Sequence, residues 1–404
     1  MFSGADKASP EECPKGCQCE GSHALRCENM ELTRIPPNWP TYFETISLMN
    51  ITSLNTLEKN AFRRYQNLQE LSIERCPDLD VIDKYAFKGL RKLRFIAIKE
   101  NPKLKELYKA SFSGIGNEHA MKIHIQKNAL ERIRGLTFKN TNNLRELLVE
   151  DRCFEVDSFA FSAISKVDFL TIKGACSIEE KAFQNTSRVH NLNVFESSLD
   201  IKGKTFAELN HVNQIHIRDN RIGRIEEEAF AGLYTVGNAH FQSNQIGRIL
   251  PRAFANAENL GTLMLSYNTV REPLESPECL INGAQKFVFT ENTLHCSCDM
   301  RWIQFYQDQT LLSENYCGRE EAFKALTYYK PIGCPPLAMG ARMEEYQQLA
   351  VEFSSPPSVS SPPMLQEADF SQQIFNEPNT GTRAALIPVG SLYSAICLFF
   401  SIYT

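Results

Sequence analysis

Apolar side chains return along this chain in a frame of about two dozen residues. Position 1 is apolar, positions 4 and 6 are apolar, position 9 is often asparagine and position 11 is apolar. A phenylalanine follows sixteen to nineteen places after position 1. The clearest copies read Val212, Ile215, Ile217, Asn220, Ile222, Phe230, and Val236, Ala239, Phe241, Asn244, Ile246, Phe254. First positions fall at 43, 68, 93, 120, 144, 167, 189, 212, 236, 260 and 284, which makes eleven copies spaced by 22 to 27 residues.

Positions 4 and 6 share one face of a short strand, and the remaining apolar positions reach the same core from the rest of the coil. One coil cannot bury that face alone, so neighbours must stack. The frame therefore predicts an α/β repeat solenoid with a parallel sheet. An asparagine at position 9 can satisfy backbone groups where the chain turns away from the strand. Asn101, Asn128, Asn220, Asn244, Asn268 and Asn292 hold that place, whereas Arg152, Ala175 and Ser197 stand there in the three central copies. The solenoid is expected to be irregular at those copies.

Composition adds little to this picture. A formal charge of -5 with 43% hydrophobic and 23% charged residues is ordinary for a folded protein, and no basic stripe suggests nucleic acid. No nucleophile elbow, zinc-protease motif or phosphate-cradling glycine loop is present, so neither an enzyme nor a cofactor is expected.

The 13 cysteines change the picture more. Cys13, Cys17, Cys19 and Cys27 cluster before the first copy, and Cys296, Cys298, Cys317 and Cys334 follow the last. Zinc ligation is the alternative, but a solenoid exposes its core at both ends and disulfide-tied caps in an oxidising compartment are the expected remedy. Cys153 and Cys176 both occupy position 10 of adjacent copies. Strands of stacked coils lie about 5 Å apart, within reach of a disulfide, with two buried thiols as the other reading. Cys76 replaces a position-9 asparagine and reads as a small buried thiol; Cys279 has no evident partner.

The segment CPKGCQCEGSHALRC with LTRIPPNWP after it resembles the N-terminal flank of extracellular leucine-rich-repeat proteins. NTLHCSCDMRWIQFY with Cys317 and Cys334 resembles their C-terminal flank. That group includes Slit, connectin and the Toll ectodomain, and the resemblance covers roughly residues 13 to 334. It implies a curved leucine-rich-repeat horseshoe with a parallel concave sheet and disulfide-bonded caps. It further implies Cys296–Cys317 and Cys298–Cys334 bonds, and pairing of the four N-terminal cysteines among themselves.

The expected organisation is an N-terminal segment 1–12, a cysteine-rich cap 13–42, repeats 43–295, a second cap 296–334, a Pro/Ser-rich stalk 335–383 and a hydrophobic tail 384–404. The tail is uncharged and no Lys or Arg follows it. It reads as a glycolipid-attachment signal near Asn379, with a spanning helix as the alternative. Residues 1–12 carry no apolar segment of a secretory leader, at odds with the caps and the tail, to which the reading gives precedence. Asn50 and Asn185 stand in glycosylation triplets.

Positions 2, 3, 5, 7 and 8 should face outward from the sheet, on the surface that this family uses for binding. Candidate ligand contacts are His124, Phe169, Phe195, His216, Arg218, Asp219, His240, Gln242 and Tyr267, and Met121 is placed beside them. His216 and His240 should stand side by side, as a metal or pH-sensing pair or as two solvated rings. The expected function is a cell-surface protein that binds a protein ligand or receptor through its concave face and reaches the membrane through its tail. A secreted matrix or innate-recognition protein and a non-catalytic subunit that scaffolds an enzyme are the alternatives.

Overall fold

The apolar frame folds into one parallel ladder. The computed structural model describes residues 13–334, apart from 22, 234, 258–259, 276, 281–283 and 319–323. Its main strands are Ala24–Glu28, Thr45–Met49, Glu70–Glu74, Phe95–Lys99, Met121–Gln126, Leu144–Val156, Val167–Ile178, Ser187–Phe195, Asn210–Arg218, Val236–Gln242, Leu260–Ser266 and Ala284–Thr290. Each pairs in parallel with the next, and equivalent positions meet: Ile46 lies beside Leu71, Leu71 beside Ile96, and Ile215 beside Ala239. Positions 4 and 6 are buried because the pleat turns both to the core, with Phe287 of the last copy only partly covered. A second row of short parallel strands, including Arg221–Ile225, Gln245–Ile249 and Thr269–Val270, carries position 11 into the same core.

The fold is thus a parallel β solenoid with few helices. Among the described residues the α-helices are Pro277–Leu280, just before the last main strand, and Gln309–Glu314, after it. The back of each coil is a run of turns instead. One residue there takes a left-handed conformation: Asn60, Tyr85, Ala110, Leu136, Phe159, Lys181, Lys204 and Glu228 have φ from 53° to 65°. Its N–H donates to the corresponding carbonyl of the next coil, as from Asn60 to Tyr85, from Tyr85 to Ala110 and from Leu136 to Phe159. Backbone pairing between coils replaces the pairing that a helix would make within itself.

The closing phenylalanines stack into a spine. Phe62, Phe87, Phe112, Phe138, Phe161, Phe183, Phe206, Phe230 and Phe254 follow one another with ring centroids 4.8 to 5.9 Å apart. All are essentially inaccessible, so truncating one to alanine would cost about 3–5 kcal/mol.

The asparagines form a second ladder. Asn244 Nδ2 donates to Ile217 O at 2.8 Å and to Asn268 Oδ1 at 2.9 Å, and Asn268 and Asn292 repeat the arrangement one coil on. Asn315 continues it: its Oδ1 accepts from the Asn292 N–H at 2.9 Å.

Where the asparagine is missing, the backbone finds other partners. Ser197 Oγ accepts the Ala175 N–H at 3.0 Å. In the coil that starts at Leu144 the role falls to Asp151, whose Oδ2 accepts the Leu130 N–H at 3.1 Å, while Arg152 is exposed. The left-handed residue that other coils place at position 8 moves there to Cys153, with φ 52°. The pairing of Leu144–Val156 with Val167–Ile178 accordingly slips on both sides of Phe154. The Cys153–Cys176 disulfide, with Cα atoms 4.7 Å apart, joins the two coils at the slip.

One expected position is corrected. Met121 is fully buried and pairs with Leu144, so it belongs to the core and not to the outer face; Ala120 before it takes the left-handed turn. The 27-residue interval holds the extra residues that shift the frame.

At the ends, disulfides join Cys13 to Cys19, Cys17 to Cys27 and Cys296 to Cys317, and Cys298 and Cys334 are disulfide-bonded as well. Tyr65 Oη donates to Pro36 O and Trp302 Nε1 to Leu274 O, fastening the first and last coils to their flanking segments. The described residues up to Lys330 belong to one unit, and Pro331 to Cys334 belong to a second. Among the described residues no helix is long and apolar enough to cross a membrane.

Candidate functional site

Positions 3, 5 and 7 of each coil turn away from the core and stand in three columns on the outer face of the main ladder. Strand register fixes the rows. Phe169 lies beside Asn191, Asn191 beside Gln214 and Gln214 beside Asn238. Thr171, Asn193, His216, His240 and Met264 form the second column, and Lys173, Phe195, Arg218, Gln242 and Ser266 the third. Adjacent strands lie about 4.8 Å apart, so neighbours in a column touch.

The third column holds the strongest electrostatics. Lys173 Nζ sits 3.2 Å from Glu150 Oε1 and 3.1 Å from Glu196 Oε2. The Lys173 and Arg218 cations lie 5.8 and 5.2 Å from the Phe195 ring centroid. Hydrogen bonding to Glu196 and Glu150 holds the Lys173 ammonium above its ordinary pKa. Burial pushes the Glu150 carboxyl up, but hydrogen bonds from Gln126 and Lys173, with the Lys173 charge, outweigh it and leave the group below the usual carboxylate range. The Phe195 ring therefore carries two cations, of which Lys173 is held by carboxylates.

His124 lies further toward the N-terminus, 3.1 Å from Glu146 Oε2 and edge-on to Phe95 at 5.1 Å. Phe169 is 43% exposed and meets His190 edge-on at 6.5 Å. The His216 and His240 rings stack at 5.1 Å, and the His216 Nε2 atom lies 2.9 Å from Gln214 Oε1. Burial lowers both imidazole pKa values, and for His216 the His240 and Arg218 charges lower it further. Among the described residues no group of three His, Cys, Asp or Glu side chains is placed to hold a metal ion.

Asp219 and Tyr267 occupy the turn at the end of their strands, with φ of 56°, and Tyr267 is 59% exposed. They project beside the columns rather than within them. Gln242 stands next to Arg218 in the third column. Of the expected ligand contacts, the structure gathers Phe195, His216, Arg218, His240 and Gln242 within three neighbouring strands, and leaves His124 several coils away.

The charged partners Glu150 and Glu196 and the amides Asn191, Gln214 and Asn238 escaped the sequence reading. The same frame marks them, since they occupy positions 3, 7 and 8 of their copies.

Outside the face, Asn185 is exposed on a turn, whereas Asn50 is half-buried and its Nδ2 donates to Asn29 Oδ1 at 3.0 Å. A cleft of about 490 Å³ lies along the second strand row, lined by Glu106, Glu131, Arg132, Arg134 and Glu155 with Cys153 and Cys176. Arg134 closes a bidentate pair with Glu106 at 2.9 Å on both contacts. Asn379 lies outside the described residues, as do the stalk and the tail.

Solved structures similar to this chain include these two. One comes from an octameric complex of Latrophilin 3, Unc5D and FLRT2. It is 17% identical, with a TM-score of 0.45, and the match covers 80% of this chain and 100% of that one. The other is human 5T4, the trophoblast glycoprotein, at 16% identity and a TM-score of 0.32, covering 81% of this chain and 100% of that one. No curated protein matches in sequence. The family model for the BspA type leucine rich repeat region matches in 6 copies over residues 38–168 and 176–272, more than half of the chain. The chain belongs to the BspA type leucine-rich-repeat family.

Proposed function

We propose that this protein is a cell-surface recognition module that binds a protein ligand through the outer face of its main ladder, in adhesion or ligand recognition. The observation that carries this reading is the cluster of Phe195, Lys173 and Arg218. No core requirement puts an aromatic ring between two cations on an outward column, and aromatic and arginine side chains are the anchors that protein interfaces favour. The disulfides of both flanks support an oxidising, extracellular setting. The uncharged tail supports attachment to the membrane through a glycolipid near Asn379.

The test is affinity capture of cell-surface proteins on the full chain, repeated with Phe195→Ala and Arg218→Glu. Truncating an interface anchor should weaken capture of the partner by roughly tenfold or more while the melting temperature holds. Capture that is indifferent to both substitutions moves the binding surface off this face. Treatment of expressing cells with phosphatidylinositol-specific phospholipase should release the protein; retention on the cells, or recovery from the medium without treatment, rejects the anchor.

A further inference from the structure

The outer face changes character along the ladder. As far as Lys173 it is charged and internally paired, with Lys122 and His124 on Glu146 and Lys173 on Glu150 and Glu196. Beyond it, the first two columns hold Asn191, Asn193, Gln214, His216, Asn238 and His240 in a block three strands wide. None of the six carries a charge when the imidazoles are neutral, and none offers a large apolar surface. We propose that this block binds a neutral, hydroxyl-rich carbohydrate chain laid across the strands. The inference rests on the reading that the outer face is a binding surface, and assigns a ligand chemistry to one part of it.

Three observations point to that chemistry. Each amide and each neutral imidazole offers both a donor and an acceptor, which is the hydrogen-bonding character of a sugar hydroxyl. Few of these groups are used within the protein. Asn193 Nδ2 donates to Thr171 Oγ1 at 3.2 Å and His216 pairs with Gln214, while the buried Asn191 Oδ1 has no partner among the described residues. Rotation of the Asn191 amide toward the outer face would bring this unpaired acceptor to a ligand hydroxyl and remove its cost. Phe169 stands directly beside Asn191, 43% exposed, with its ring perpendicular to that of His190. An exposed aromatic ring of this kind suits the apolar face of a pyranose ring.

The geometry also disfavours the obvious competitor. An extended peptide adds to a sheet through a free strand edge, and here the strands on both sides of the block are already paired within the ladder. Repetition at about 4.8 Å from strand to strand instead presents one hydrogen-bonding group per step to a linear chain.

The experiment is titration calorimetry of the full chain against neutral linear oligosaccharides of glucose, mannose, galactose and N-acetylglucosamine. Heparin oligosaccharide and an uncharged Gly/Ser peptide serve as comparison probes. We expect saturable binding of at least one neutral oligosaccharide, weakened roughly tenfold by Asn191→Ala with Asn238→Ala and by Phe169→Ala. Removing the unpaired Asn191 amide and the exposed Phe169 ring should not lower the thermal transition, and Lys59→Ala, exposed on the back of a coil, should leave sugar binding intact. Binding of none of the neutral sugars, binding only of heparin or of the peptide, or binding indifferent to these variants overturns the inference. Loss of protein capture on Arg218→Glu without any sugar binding would retain the broader reading and discard this one.

Discussion

Asn244 Oδ1 accepts two hydrogen bonds from Asn220 of the preceding coil, from the backbone N–H at 3.0 Å and from Nδ2 at 3.1 Å. The two residues are 24 apart in sequence and both are buried, so each asparagine completes the turn of the coil before it. Asn244→Ala would leave the Asn220 N–H and the Ile217 carbonyl unpaired in the core. Each such group costs about 1–3 kcal/mol. The expected outcome in urea denaturation is a destabilisation of about 2–4 kcal/mol. Arg152→Ala is the control: Arg152 has the same frame position but is exposed, and its replacement should stay within about 0.5 kcal/mol. Equal effects of the two substitutions would refute the ladder as described.

The frame exposed most of this architecture before any coordinates, because burial selects apolar residues at positions 1, 4, 6 and 11 and at the closing phenylalanine in every copy. It failed where the backbone solves a problem without a diagnostic side chain. Met121 went to the wrong face because the 27-residue coil that starts at Leu93 carries extra residues and the count is blind to the register irregularity that follows. Asp151 replaced asparagine one residue out of register for a related reason. The turns on the back leave no apolar signature, since the stabilising groups are backbone N–H donors at residues as unlike as Tyr85 and Lys204. Asn315 escaped because its coil lacks the flanking apolar frame. On the outer face, sequence marks which positions point outward but not which neighbours claim them. The pairing of Lys173 with Glu150 and Glu196 depends on register between coils 23 residues apart.

Gly174 has φ +83°, and a Cβ built on it would lie 1.9 Å from Asp151 O. Left-handed backbone costs a non-glycine residue about 1–2 kcal/mol, and a contact that close with main chain forces the slipped coils apart. Gly174→Ala should therefore destabilise by more than about 2 kcal/mol and make the Cys153–Cys176 region more open to hydrogen exchange. Gly21 separates the two causes, since it has φ +63° with nothing within 4 Å of the added carbon. Gly21→Ala should cost only the conformational part, about 1 kcal/mol. A Gly174→Ala chain as stable as the wild type would show that the two coils are not in this contact.

Cys76 is a fully buried thiol whose Sγ lies 3.6 Å from Glu74 O, and its backbone N–H is held by Asn101 Oδ1 at 3.0 Å. Burial pushes its pKa up to about 11, against weaker hydrogen-bond effects from Ile51 and Glu74. The reactive thiolate is thus scarce at neutral pH and shielded from reagents. Iodoacetamide at pH 7.5 should leave Cys76 unmodified in the native protein and label it fully after denaturation without reductant. Native labelling on the timescale of a free cysteine would contradict its burial.

Protonation of the stacked histidines gives the last expectation. Burial disfavours charge on both His216 and His240, so their folded pKa values lie below the usual imidazole value of about 6.5. The unfolded chain then binds more protons than the folded chain between those values, so stability rises with pH across that window. Above about pH 6.5 the pair costs nothing; as pH falls through the folded values, two cations are forced together 5.1 Å apart beside Arg218. Stability should therefore fall as the pH drops below about 6.5 by more in the wild type than in His216→Gln with His240→Gln, measured by urea midpoint. Glu150 and Glu196 engage Lys173, and no carboxylate is among the groups that shift either histidine. Identical pH profiles for the two proteins would show that the rings are solvated and not stacked.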